Sequence, residues 1–139
     1  MNTNNYNETM NNCRNYLQAH SDIKAAYENL PGSNCSGFEY TLQNGNAVKV
    51  RVDDSISFLI MEVYAGITAR GEHLAAVSEY CQRMSRKGIV YLTVDPLQGN
   101  IYAHCETSYY DNPVSEELLQ EMETRCVNLL QRHFPVLEC

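Results

Sequence analysis

The chain has 139 residues, of which 44% are apolar and 19% charged, a composition typical of one globular domain spanning residues 1–139. Its ten basic and seventeen acidic side chains give a net charge of −7 at pH 7, and such a surface repels phosphate groups. This charge argues against a nucleic-acid binder and against docking on anionic membranes. The longest run of large apolar residues, Phe58–Met61, is far shorter than the roughly 20 residues of a membrane span.

The amino-terminal stretch MNTNNYNETMNN has neither the basic nor the apolar segment of a secretory signal, so we expect a cytoplasmic protein. In that reducing compartment the six cysteines are expected to be free thiols. Cys13, Cys81 and Cys126 fall on the apolar faces of predicted helices, and Cys105 on that of a predicted strand. A thiol packs in such places as a small hydrophobic side chain.

The first predicted element is a helix from Asn5 to about Ala19, because its apolar side chains recur at spacings of three and four. Asp22–Leu30 fits either a continuation of this helix or an extended edge strand, and Pro31–Asn34 ends it. Alternating apolar and polar residues then predict three strands, the first two joined by a tight turn at Asn44-Gly45. These strands are Phe38–Leu42, Val48–Asp53 and Ser57–Ile67.

The second half of the chain begins with a predicted helix over Glu72–Lys87, capped by Gly88. A hairpin of two strands, Ile89–Val94 and Ile101–Ser108, follows. The last helix starts after Ser115 as its N-cap, carries glutamates in its first turn, and is expected to stop at Pro135. The order α-βββ-α-ββ-α with short turns predicts an α+β fold, an antiparallel sheet with helices packed on one face.

Four stretches carry a likeness to a known family: FLIMEVYAGI on the third strand, HLAAVSEYCQRM on the second helix, VYLTVDPLQGNIYAHCETSY in the hairpin, and SEELLQEMETRCVNLLQRHFPVL at the end. With these patterns, the chain from Asn5 to Leu137 resembles the YbjN family. These are bacterial domains similar in fold to the specialised chaperones of type III secretion. The resemblance implies a regulatory or chaperone-like binding module, and the patterns concern packing and not catalysis.

The sequence contains none of the residue spacings that are typical of metal sites, catalytic nucleophiles or phosphate-binding loops. The chain has no C-x₂-C, no H-E-x-x-H, no G-x-S-x-G and no glycine-rich phosphate loop, so no cofactor or metal is expected. His104 and Glu106 share a strand face that Glu62 could join, but we interpret them as a solvated polar rim and not as a metal site. Adjacent strand residues point to opposite faces, so His104 and Cys105 cannot form a catalytic dyad.

The second face of the sheet is the informative feature. If Leu59 and its neighbours face the helices, the opposite face carries large apolar side chains among Glu62, Thr93, His104 and Glu106. Such aromatic patches mark association surfaces. Two alternatives stay open: the N-terminal helix covers this face, or the register is off by one and the two faces are exchanged. The predicted contact surface is Phe58, Ile60, Tyr64, Tyr91 and Tyr102.

The leading hypothesis is a non-enzymatic protein-binding module that holds a segment of another protein and forms a homodimer through this surface or an adjacent helix. The first alternative is a small-molecule-sensing regulatory domain with a pocket between sheet and helices. The second is an enzyme that uses Glu62, His104 and Glu106.

Overall fold

A computed structural model describes residues 3–19, 23–27, 35–84 and 90–137 of the chain. The predicted Gly88 cap and the turn at Pro31–Asn34 lie outside these residues. The elements in chain order are α1 (Thr3–Gln18), β1 (Ile23–Tyr27), β2 (Cys35–Thr41), β3 (Ala47–Asp53), β4 (Phe58–Thr68), α2 (Gly71–Met84), β5 (Val90–Val94), β6 (Asn100–Ser108) and α3 (Glu116–Leu137).

The strands form one antiparallel sheet in the order β1-β2-β3-β4-β6-β5. The predicted α+β architecture is therefore confirmed. Of the two interpretations of Asp22–Leu30, the extended edge is correct for Ile23–Tyr27, which pairs with β2. The observed order, α-ββββ-α-ββ-α, therefore has one strand more than the predicted order. At the other side of the sheet, β6 pairs with β4 and leaves β5 as the outer strand.

One face of the sheet forms the core, as the alternation in β4 predicts. Leu59, Met61 and Val63 are fully buried; their partners in register are three valines on β3, and Thr107, Cys105 and Ala103 on β6. Helix α3 packs across β4, β5 and β6, and α2 packs on β5. The alternative in which the two faces are exchanged is therefore wrong.

Helix α1 lies on this same face. Its buried Cys13, Tyr16 and Leu17 line a small cavity together with Phe38, Tyr40, Val50 and Leu119. The Tyr40 hydroxyl donates to Glu123 Oε1 of α3 at 2.7 Å, which ties the sheet to that helix. The alternative in which the N-terminal helix covers the second face is wrong, because its apolar stripe is already buried against the core.

Helix α3 begins as predicted and ends later than predicted. The Leu118 amide donates to Ser115 Oγ at 3.1 Å, so Ser115 is the N-cap. Pro135 does not stop the helix, which continues to Leu137. Leu137 is fully buried, and its carbonyl oxygen lies 2.8 Å from His73 Nε2 of α2, so tertiary contacts hold the last turn where proline lacks an amide donor.

The five cysteines in the described part of the chain are free thiols. Cys13, Cys81, Cys105 and Cys126 are buried, in the apolar positions that the sequence indicated. Burial raises the pKa of the Cys13 thiol to about 12 and that of Cys81 to about 11. These thiols therefore act as packing groups. Among the described residues, no helix is both long and apolar enough to cross a membrane.

Candidate functional site

The sheet face opposite the helices is here called the open face. Its residues alternate along the strands with the core residues, so Glu62 pairs with His104 and Tyr64 with Tyr102 across β4 and β6. All three helices place their buried side chains in the core on the other face. In the part of the chain that the structure describes, no helix lies over the open face. It comprises Glu39, Lys49, Arg51, Phe58, Ile60, Glu62, Tyr64, Tyr91, Thr93, Tyr102, His104 and Glu106.

The structure brings all five residues of the predicted contact surface to the open face. Phe58, Tyr64, Tyr91 and Tyr102 are half-buried, whereas Ile60 is only 7% exposed and contributes little surface. The Tyr64 and Tyr102 rings are tilted against each other with centroids 5.5 Å apart. The aromatic area therefore comprises this tyrosine pair, Tyr91 on β5, and Phe58 at the other end of β4.

A row of charged residues crosses the open face and separates the Tyr64–Tyr102 pair from Phe58 and Ile60. In register, Glu39 pairs with Lys49, Lys49 with Glu62, and Glu62 with His104, which pairs in turn with Tyr91. Lys49 Nζ lies 3.7 Å from Glu39 Oε1. Alternation along β2 and β3 predicts that Glu39 and Lys49 point away from the sheet face that carries the β3 valines. That they form one row with Glu62 and His104 becomes visible only from the register of four strands.

His104 is held between two carboxylates. Its Nδ1 lies 3.5 Å from Glu62 Oε2 and its Nε2 lies 3.5 Å from Glu106 Oε2. Tyr91 stacks on the imidazole with ring centroids 4.8 Å apart and planes 25° apart. Only 14% of the His104 side chain is exposed. We call Glu62, His104 and Glu106 the imidazole array.

The electrostatics of the imidazole array favour a charged histidine. Burial by itself lowers the pKa of His104, but the hydrogen bonds and charges of Glu62 and Glu106 outweigh burial and raise that pKa above its ordinary value. The hydrogen bond from His104 lowers the pKa of Glu62 against the opposing effect of burial. Burial, followed by the nearby carboxylates, raises the pKa of Tyr91.

This geometry suits an imidazolium better than a metal ion. The two carboxylates face different ring nitrogens, so one ion could not bind both of them and a nitrogen at once. No cluster of three suitable metal ligands occurs among the described residues. Cys105, next in the chain, points into the core and is 3% exposed, so it faces away from His104 as the alternation in β6 predicts.

A groove runs beside the outer strand β5, between it and α2. Its volume is about 470 Å³. β5 hydrogen-bonds to β6 along one edge, and its other edge is the end of the sheet. Tyr91 belongs both to this groove and to the open face. The lining residues are Ser78, Cys81, Gln82, Tyr91, Leu92, Thr93, Val94 and Pro96.

The cavity between sheet and helices that α1 helps to form is much smaller. It holds about 10 Å³, which is room for no more than one water molecule. Its side chains come from the core, and Tyr40 directs its hydroxyl to Glu123. This cavity cannot hold a small organic ligand, so of these two spaces between sheet and helices only the β5 groove is large enough for one.

Comparisons with known proteins support the fold. No protein-family model matches the chain, and no curated protein matches it. A solved structure of the HopA1–SchA chaperone–effector complex contains a similar chain, with 9% identity, a TM-score of 0.63, and coverage of 94% of this chain and 95% of that one. A chain of the ExsC–ExsE complex matches at 11% identity and a TM-score of 0.59, with 75% and 77% covered. The protein therefore has a chaperone-like α+β fold.

Proposed function

We propose that the protein is a non-enzymatic, chaperone-like or regulatory module of the YbjN kind, acting in the cytoplasm and holding a segment of another protein. Both similar structures are complexes of two proteins, and one of them pairs a chaperone with its effector. The observation that carries the proposal is the open face, since a sheet normally buries two apolar faces or makes one of them polar. Here four half-buried aromatic side chains remain on the uncovered side.

The partner segment is expected to be extended and to run along the β5 groove. An edge strand presents unpaired backbone amide and carbonyl groups, to which a further strand can hydrogen-bond. Tyr91 and Thr93 on the open side of β5 would contact side chains of the segment. Covering such apolar area contributes roughly 25 cal/mol per Å².

A homodimer is the second part of the proposal. In a two-fold contact the same patch of each copy packs against the other copy. The Tyr64–Tyr102 pair and Tyr91 of both copies would then be covered together. Burying two or three aromatic side chains per copy supplies several kcal/mol, comparable to the cost of association. We expect dimers at micromolar concentrations.

The test compares Tyr91→Asp with Gln120→Glu, which adds the same charge at an exposed position of α3. Gel filtration with light scattering should give a dimer mass for the wild type and for Gln120→Glu, and a lower mass for Tyr91→Asp. Far-ultraviolet circular dichroism should be the same for all three. A wild-type mass of one chain at high concentration would refute the dimer.

Partner binding needs its own experiment. The tagged protein, captured from its native host and analysed by mass spectrometry, should retain one defined polypeptide that Tyr91→Asp fails to retain. Hydrogen exchange of that complex should slow at the β5 amides. Protection elsewhere, with β5 unchanged, would place the contact on another surface. Turnover in a hydrolase and phosphatase screen, abolished by His104→Ala, would overturn the non-enzymatic assignment.

A further inference from the structure

The imidazole array sits where the open face meets the β5 groove. We propose that Glu62, His104 and Glu106 form a proton-operated control of this contact surface, in which loss of the His104 proton releases Glu106 and Tyr91 and weakens association. This inference rests on the proposed function, because it assigns a regulation to the same surface. It follows from the positions of the two ring nitrogens.

The observed geometry is best satisfied when His104 carries a proton on each ring nitrogen. Both nitrogens face a carboxylate oxygen at 3.5 Å, and a neutral imidazole can donate from only one of them. After proton loss, a nitrogen lone pair would face a carboxylate in a site with little water. Nε2 is buried and lacks a well-directed hydrogen bond, so the Glu106 contact is the weaker of the two.

Glu106 is therefore the group that moves. Its side chain is 41% exposed and can turn into water, whereas Glu62 is 24% exposed and stands opposite Lys49 in register. The Tyr91 ring stacks on the imidazole, so it faces a neutral ring instead of a cation once the proton has left. The summed charge of the array changes from −1 to about −2 when one proton leaves. An interface that covers it must then desolvate one more negative charge.

Groups on β3 and β5 also face the array. Lys49 and Arg51 of β3 add to the effect of His104 in lowering the pKa of Glu62, and Tyr91 of β5 stays neutral because its pKa is raised. Glu62 stays ionised because its pKa is lowered. In the described part of the chain, the helices pack on the opposite face. A charge change here near neutral pH therefore belongs to His104.

The first measurement is a proton and carbon NMR titration of the full chain between pH 5 and pH 9. The His104 ring signals should titrate with a midpoint above 6.5, and the Tyr91 ring signals should shift with the same midpoint. The Tyr91 shift should be absent in His104→Gln. Glu106→Gln should lower the midpoint, because it removes one of the two carboxylates that raise the pKa of His104, whereas Glu116→Gln, at an exposed position on α3, should leave it unchanged.

The second measurement is the dimer dissociation constant by sedimentation at pH 6 and pH 8.5. It should rise about three- to tenfold at the higher pH in the wild type and stay constant in His104→Gln. The proposed regulation is wrong if the dissociation constant of the wild type does not change with pH, or if the Tyr91 signals do not shift with the His104 midpoint. A protein that stays monomeric at every pH refutes the dimer instead, and the NMR midpoints still decide whether the array operates.

Discussion

Gly99 allows the sharpest test of the structure, because it holds the hairpin that carries Tyr91 and Tyr102. Its φ is +78°, and a Cβ built there would lie 2.0 Å from the carbonyl oxygen of Ala69. The Ala69 amide donates to the Gly99 carbonyl at 2.8 Å, and the Gly99 amide donates to Asp95 at 2.7 Å. The approach of these two backbones joins the β5–β6 turn to the segment before α2.

Gly45 is the matched control for Gly99→Ala. Its φ is +93°, and an added Cβ would meet no heavy atom within 4 Å. Alanine at either position adopts the left-handed region at a cost of about 1–2 kcal/mol. Only at Gly99 must the backbone also move away, which weakens two hydrogen bonds worth about 1 kcal/mol each. The expected losses are about 1–2 kcal/mol for Gly45→Ala and about 3–4 kcal/mol for Gly99→Ala.

The assay is urea unfolding followed by circular dichroism, with thermal melting as a second measure. An unfolding entropy of about 2.1 cal/mol/K per residue gives about 0.3 kcal/mol/K for 139 residues. The melting temperature should therefore fall by about 10–14 °C for Gly99→Ala and about 3–7 °C for Gly45→Ala. Equal losses in the two variants would refute the close approach of Gly99 to Ala69.

Three further predictions concern stability. Tyr40→Phe removes a buried hydroxyl from the Glu123 carboxylate, so urea unfolding should show a loss of about 1.5–3 kcal/mol, and a loss below about 0.5 kcal/mol would contradict the bond. Because the pKa of His104 is raised on folding, its contribution to the free energy of unfolding is complete below pH 6.5 and disappears as the pH rises through the folded-state pKa. The pKa of Glu62 is lowered, so its contribution is complete above pH 4.5 and disappears as the pH falls. Wild type and His104→Gln should therefore differ more at pH 5.5 than at pH 8.5, and a constant difference would contradict this linkage. Ser57 has a φ of 57°, so Ser57→Gly should stabilise the chain by about 0.5 kcal/mol in the same assay, and a clear loss would show that its side chain is needed.

Periodicity was sufficient to predict most of the strands of the sheet. Leu59, Met61 and Val63 alternate with Phe58, Ile60 and Tyr64, which are also large and apolar or aromatic, so the sequence of β4 left open which set faces the helices. The edge strand Ile23–Tyr27 was undecided, because five residues give too little periodicity to separate a strand from a helix. The predicted end of the last helix at Pro135 was wrong, because the helix continues to Leu137. The burial of Leu137 depends on tertiary contacts, which the sequence of the helix does not reveal.

The candidate site was only half predictable from the sequence. Its aromatic members follow from alternation within single strands, which places Tyr64, Tyr91 and Tyr102 on one side. The charged row depends on which residues become neighbours across strands, and no pattern within a strand contains that information. Likewise, the position of β5 at the edge of the sheet follows from the order of the strands and not from the composition of β5.

The charged row also explains how an uncovered sheet face can remain in solution. A continuous apolar face beside a free edge strand would invite aggregation, which natural sheets avoid by placing charges in the middle of such faces. Glu39, Lys49, Glu62 and His104 lie across the centre, so the Tyr64–Tyr102 pair lies on one side of the row and Phe58 and Ile60 lie on the other. Tyr91 of β5 pairs with His104 at the end of the row. A partner that covers both sides also covers the imidazole array, so the proton on His104 lies within that contact.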